Sequence, residues 1–197
     1  MPDTKGHITG IFSEHRQYLD KTLPAVLAQL ISWIEQAKET FSRGGKLLVF
    51  GNGGSAADAC HLVSELVGRL SGESPALPAI ALNTDPAVIT SLSNDFGYDF
   101  LFHRQLEALT KKGDMVLAIS TSGRSVNCIR GLELANSLGA VTVALTGQDG
   151  GELAKISSLS IIVPGENTQR LQEMHELVIH AFCDVIKEWG KSSFSKG

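Results

Sequence analysis

Five short, almost uninterrupted apolar runs recur along the chain with helical patterns between them: KLLVFG (46–51), LPAIALN (77–83), DMVLAIS (114–120), AVTVALTG (140–147) and LSIIVPG (159–165). A strand that is apolar at every position, not at alternate ones, has both of its faces covered. Helical periodicity over 55–70, 86–109, 124–138, 150–156 and 168–189 supplies the covering layers. Strands and helices in alternation pair in parallel through crossovers, so the sequence predicts an α/β fold, a three-layer α/β/α sandwich around a parallel sheet. In such a fold ligands sit beyond the carboxyl ends of the strands, where loops lead into helix N-termini.

Ahead of the first strand, residues 1–45 read as a pair of helices. Ile8, Ile11, Phe12 and Leu19 mark one amphipathic segment; Val26, Leu27, Leu30, Ile31, Ile34 and Ala37 mark a second. Pro24 suits the first turn of that second helix, and Gly44-Gly45 ends it. The two segments carry more apolar surface than one sheet face needs, so they either cover the domain or pair between subunits. The main domain is expected over 46–190, with 191–197 a frayed tail.

Composition removes several function classes. With 197 residues, 43% of them hydrophobic and 19% charged, the chain can build a full core in one domain. A net charge of −4 with scattered Lys and Arg argues against a nucleic-acid surface. No apolar run approaches the roughly 18 residues of a membrane span. MPDTKGHITG has no basic region followed by an apolar stretch, which predicts no secretory signal. Three cysteines, Cys60, Cys128 and Cys183, without CxxC spacing, suit a reducing cytoplasm better than a disulfide scaffold.

Two loops occupy the ligand-binding end. STSGRS (120–125) gathers Ser120, Thr121, Ser122 and Ser125 around a glycine at a helix start. One hydroxyl would serve as an N-cap. Four exceed that need, and with the backbone N–H groups of a helix N-terminus they favour a phosphate. The loop lacks the lysine of a nucleotide P-loop. GNGGSA (51–56) is not the GxGxxG dinucleotide fingerprint, and the next strand closes on Asn83 where an acidic residue would be needed. Its glycines serve either a tight turn or a close ligand. On the following helix His61 and Glu65 stand at i and i+4, and Arg69 continues that face: a solvated polar pair, or two ligands. The last helix places Gln172, Glu176 and His180 on one flank, opposite Leu171, Met174, Leu177, Val178 and Phe182. Should the two helices meet, His61, Glu65 and His180 would form a Zn²⁺ site completed by an oxygen donor.

GNGGSAADACH, NDFGYDF, AISTSGRS, LTGQDGGELA and RLQEMHELVIH, in that order, make the chain resemble the sugar isomerase (SIS) family from about residue 8 to residue 188. Within the family the resemblance is to the branch acting on seven-carbon sugar phosphates. It implies a flavodoxin-like sheet and a cytoplasmic homotetramer with active sites between subunits. The implied reaction converts sedoheptulose 7-phosphate into D-glycero-D-manno-heptose 7-phosphate through an enediol, for the heptose of lipopolysaccharide or related glycans. It also implies one Zn²⁺ per subunit on His61, Glu65, Gln172 and His180. Substrate contacts carry over to Asn52, Gly53, Gly54, Ser55, Glu65, Arg69, Asn94, Asp95, Ser120, Thr121, Ser122, Ser125 and Gln172. Glu65 would be the catalytic base and His180 the acid; no nucleic-acid or membrane partner is implied.

Three positions depart from the family pattern. Cys60 stands where many relatives have glutamine, Gln169 where some carry an aspartate, and Arg124 where asparagine is usual. Two other roles exist in the family: a non-catalytic tetrameric adaptor of the replication initiator, and a phosphosugar sensor fused to a DNA-binding module. Retention of Glu65 and His180 favours the enzyme over the adaptor, and the chain has little room for the sensor's added module.

Overall fold

The computed structural model describes residues 3–68 and 75–194. A parallel sheet forms from β1 (Leu47–Gly51), β2 (Ala79–Ala81), β3 (Met115–Ser120), β4 (Val141–Gly147) and β5 (Leu159–Val163) in the order β2-β1-β3-β4-β5. This is the flavodoxin-like order, with its topological switch between β1 and β3. Leu47 pairs with Met115 and Met115 with Val141, so the carboxyl ends of β1 and β3 come level. GNGGSA and STSGRS, which continue those two strands, are therefore neighbours.

Alternation along each strand divides the core. Leu47, Val49, Met115, Leu117, Ile119, Val143, Leu145, Ile161 and Val163 face a layer made by α1 (Thr4–Ser42), α2 (Gly54–Val67) and α7 (Thr168–Phe194). Leu48, Phe50, Val116, Ala118 and Ala144 face α4 (Leu101–Leu109), α5 (Val126–Ser137) and α6 (Gly151–Ile156), with α3 (Pro86–Phe96) packed at the side. Both faces are dry, which is why these strands read as continuous apolar runs.

The expected N-terminal helical pair is instead one helix of 39 residues, α1, with Pro24 inside it. A proline there removes the bond to the carbonyl of Asp20. Asp20 and Pro24 both lie on the exposed face, so water takes that carbonyl and the helix continues. Its inner face, Val26, Leu30, Trp33, Ile34, Ala37 and Phe41, is buried. Trp33 stacks on Phe182 of α7 at 3.7 Å between ring centroids. Near its start, His15 contacts Glu173 of α7 at 2.5 Å, and Arg170 donates to the Ile11 carbonyl at 3.1 Å. Tyr18 Oη accepts from the N–H groups of Glu166 and Asn167, holding the loop before α7.

Under that loop lies His175, fully buried, its Nε2 donating to the Thr146 carbonyl at 3.0 Å. Burial pulls the ring's pKa down to about 4, against a weaker upward pull from that bond. Above pH ~6.5 the ring is neutral in the folded and the unfolded chain alike. As pH falls from there toward 4, the unfolded chain gains a proton that the folded chain refuses, so stability is lost across that window. Between pH 7 and pH 5 the loss from this residue should be about 2 kcal/mol. Urea unfolding at the two pH values should show a smaller drop in His175→Gln, whose amide can still serve the Thr146 carbonyl. An equal drop in both proteins would remove His175 as the source.

Candidate active site

At the end of β1, the chain turns through Asn52 and Gly53 into α2. Asn83 clamps Gly51 from the side, accepting from its N–H at 3.2 Å and donating to its carbonyl at 2.9 Å. The residue that fails to be a dinucleotide acid is thus a structural clasp. Asn52 exchanges two amide bonds with Asn127 of α5, both 2.9 Å, and accepts from Tyr98 Oη at 2.7 Å. Its side chain is locked before any ligand arrives.

Next to this turn, STSGRS forms the second wall. Ser120 Oγ accepts from the Gly123 N–H at 3.2 Å and lies 3.4 Å from Ser125 Oγ. Ser122 Oγ accepts from the Arg124 N–H at 3.2 Å. Asn52, Gly53, Gly54, Ser55, Ser120, Thr121, Ser122 and Ser125 line one cleft of about 340 Å³, with Thr168 and Gln172 closing it from α7. At Gly54 a Cβ would stand 2.1 Å from Gln172 Nε2, so only glycine lets α7's amide lie across the start of α2. The glycines after β1 therefore permit a close approach as well as a turn.

Two turns further along both helices, the polar residues converge. His61 Nε2 of α2 lies 2.9 Å from His180 Nε2 of α7. Glu65 Oε1 is 3.6 Å from His61 Nε2, and Glu65 Oε2 is buried without a partner. Glu176 Oε1 stands 3.1 Å from His61 Nε2 and 3.5 Å from His180 Nε2. Asp58, one turn before His61, has a buried unpartnered oxygen; burial, and then the Glu176 charge, push its pKa up to about 7 against the opposing pull of His61. Three carboxyl groups around two imidazoles, with oxygens left unpaired, suit a divalent cation.

Several expected contacts fall elsewhere. Asn94 and Asp95, at the end of α3, are exposed, bonded to each other at 2.9 Å, and outside the cleft lining. Arg69 lies outside the described residues. Cys60 takes no part in the histidine cluster and lines a shallow apolar groove with Val63, Val67 and Ile80 beside β2. Gln169 is exposed. Arg124 does not offer a free charge to the cleft: it pairs with Asp149 at 2.6 Å, and this bond holds the Asp149 carboxyl below its usual range.

Two contributors escape a reading of the sequence. Asp58 lies close enough to His61 and Glu176 to feel their charges, yet only the helix face it shares with a suspected ligand points to it. The loop after β4, GQDGG, braces STSGRS from behind: the Gly147 N–H donates to the Thr121 carbonyl at 3.1 Å, and the Leu153 N–H donates to the Gly123 carbonyl at 3.0 Å. Paired glycines directly after a strand were its signal.

This architecture matches known proteins closely. The SIS domain family model covers residues 12–147. A phosphoheptose isomerase of Aliarcobacter butzleri is 44% identical over 182 residues, 92% of this chain and 96% of that one. The solved phosphoheptose isomerase of Francisella tularensis superimposes with a TM-score of 0.91 at 34% identity, covering 94% of this chain and 98% of its own. That of Neisseria gonorrhoeae gives 0.89 at 35%, covering 93% and 98%. The chain therefore belongs to the SIS-domain family, and within it to the phosphoheptose isomerases.

Proposed function

We propose that this chain isomerises sedoheptulose 7-phosphate to D-glycero-D-manno-heptose 7-phosphate. The observation that carries the reading is the meeting of His61 and His180 at 2.9 Å beside a cleft walled by hydroxyls and glycines. Ser120, Thr121, Ser122 and Ser125 hold the phosphate, with the start of α5 contributing its N–H groups. Anchoring that end fixes the other, so that the reacting carbons present themselves to the α2–α7 junction. There Glu65 takes the proton from C1 and returns it to C2, while His180 serves the oxygens.

His61, Glu65, Gln172 and His180 would hold a divalent cation, and zinc suits this mixture of nitrogen and oxygen donors. When bound, the ion supplies Lewis-acid stabilisation of the enediol's developing charge. The unpartnered Glu65 Oε2 supports this assignment. A homotetramer with sites completed between subunits belongs to the same proposal. Phe12, Leu19, Leu23, Leu27 and Ile31 leave an apolar stripe exposed along α1, and Asn94 and Asp95 stand free to meet a cleft on another subunit. A cytoplasmic location fits the three free cysteines, of which burial holds Cys128 and Cys183 up to about 12. Among the described residues no helix is long and apolar enough to cross a membrane.

Incubation with sedoheptulose 7-phosphate, before and after chelation, with product followed by NMR, tests the whole reading. Aldoheptose that appears only with the metal present is expected. Binding without turnover would favour a phosphosugar sensor; neither turnover nor metal would favour an adaptor.

A further inference from the structure

The NDFGYDF segment keeps Asn94 and Asp95 out of the cleft lining, yet it sends one side chain to the cleft's edge: Tyr98 Oη reaches Asn52 Oδ1 at 2.7 Å. We propose that Tyr98 is a positioning residue for the isomerisation. It commits its proton to Asn52, so that Asn52 meets the sugar phosphate only as a hydrogen-bond donor. The proposal rests on the functional reading above.

The direction of every bond in this network follows from one group that cannot be reversed. The Cys128 backbone N–H only donates, and it donates to Asn127 Oδ1 at 2.9 Å. Asn127, in the first turn of α5, is buried, so its amide stays in that orientation. Its Nδ2 then donates to Asn52 Oδ1, and Asn52 Nδ2 donates back to Asn127 Oδ1, each at 2.9 Å. A hydroxyl that meets Asn52 Oδ1 must therefore donate, and Tyr98 Oη is that hydroxyl. An amide oxygen accepts two bonds. Asn127 and Tyr98 supply both, which leaves Asn52 no acceptor capacity. Beyond Asn127, the Asn52 amide nitrogen finds only the Cys128 sulfur, a weak acceptor, at 3.8 Å among the described residues. What remains for a ligand is an N–H, which selects an oxygen offering a lone pair. Without the Tyr98 proton one lone pair of Asn52 reopens, and a sugar hydroxyl then competes for it in the wrong pose.

The hydroxyl can be removed by itself because other contacts hold the segment. Gly97, at φ +84, turns the chain out of α3 into the short 3₁₀ turn Tyr98–Phe100. The Phe100 ring lies under the Arg130 guanidinium at 4.4 Å, and Arg130 is one turn along α5 from Asn127. Tyr98 itself is 52% exposed, so its ring adds little to the core.

Steady-state kinetics with sedoheptulose 7-phosphate, and calorimetric titration with inorganic phosphate, should be run on wild type, Tyr98→Phe, Asn52→Ala and the double variant. Tyr98→Phe should lower kcat/KM about fivefold, the worth of one net hydrogen bond. Its affinity for inorganic phosphate, which STSGRS holds, should not change, and it should melt near the wild-type temperature. In the Asn52→Ala background the same change should cost nothing further. An equal loss from Tyr98→Phe with and without the Asn52 amide would overturn the proposal, because the tyrosine would then act by another route. Wild-type kcat/KM in Tyr98→Phe would overturn it too, as would a matching loss of phosphate affinity, the mark of a general disturbance of the cleft. These last two comparisons decide the matter even if Asn52→Ala does not fold. Wild-type protein that fails to turn over the sugar phosphate would overturn the functional reading and this proposal together.

Discussion

Glu65→Gln is expected to lower turnover of sedoheptulose 7-phosphate by about 10³-fold, within the range ascribed to a positioned acid or base. The substitution is isosteric, so the loss is chemical and not steric. An amide cannot accept the C1 proton, whereas the carboxylate has one oxygen buried and unpartnered at the α2–α7 junction. That oxygen is not engaged by any other group, so it is open to a proton offered at the right place. Two readouts separate this role from a structural one. In D₂O the wild-type protein should exchange solvent deuterium into the substrate at C1 and into the product at C2, and the variant should lose exchange and turnover together. Its thermal unfolding should stay close to wild type. Normal turnover would refute the assignment, and so would exchange that persists while product formation stops.

How far the sequence disclosed this site depends on the kind of information each residue carries. The sheet was legible because strands buried on both faces leave uninterrupted runs such as LLVF and MVLAI, whereas the strand order came only through the family resemblance. STSGRS was legible because four hydroxyls exceed what a cap requires. The convergence of His61 with His180 was not, since the residues lie 119 positions apart and periodicity gives a helix's face but not its neighbour. The same blindness put Leu177 with the packing side of the last helix, although it is exposed. It also split α1 in two. Pro24 is a helix-start signal only when the preceding carbonyl needs its bond, and on a solvated face that need disappears. Asp58 drew no notice in the sequence, because a charge on a helix acquires meaning only from what packs across from it.

Gly123→Ala should be the most damaging single-methyl change in the phosphate-binding half of the cleft. Gly123 sits at φ +64, and a Cβ there would stand 1.9 Å from the Gly150 carbonyl oxygen and 2.6 Å from its carbon. Backbone meets backbone, so no side chain can swing aside. Gly151 returns the contact: its own Cβ would lie 2.5 Å from the Ser122 carbonyl oxygen. The two loops must separate, and with them the Gly123 carbonyl that accepts from Leu153 and the Gly123 N–H that Ser120 Oγ holds. Left-handed strain of ~1–2 kcal/mol adds to an overpacking cost of ~1–3 kcal/mol, giving about 3 kcal/mol in all. Because the displaced atoms are those that position Ser120 and Ser122, affinity for the phosphosugar should fall about 100-fold as well. Gly113→Ala is the control: it has a positive φ of +90 but open space around its Cβ, so it should cost only the strain and leave binding unchanged. Calorimetric titration with sedoheptulose 7-phosphate and urea unfolding of both variants give the answer. Equal behaviour of the two would mean that the contact between the STSGRS and GQDGG loops does not hold the phosphate site in shape.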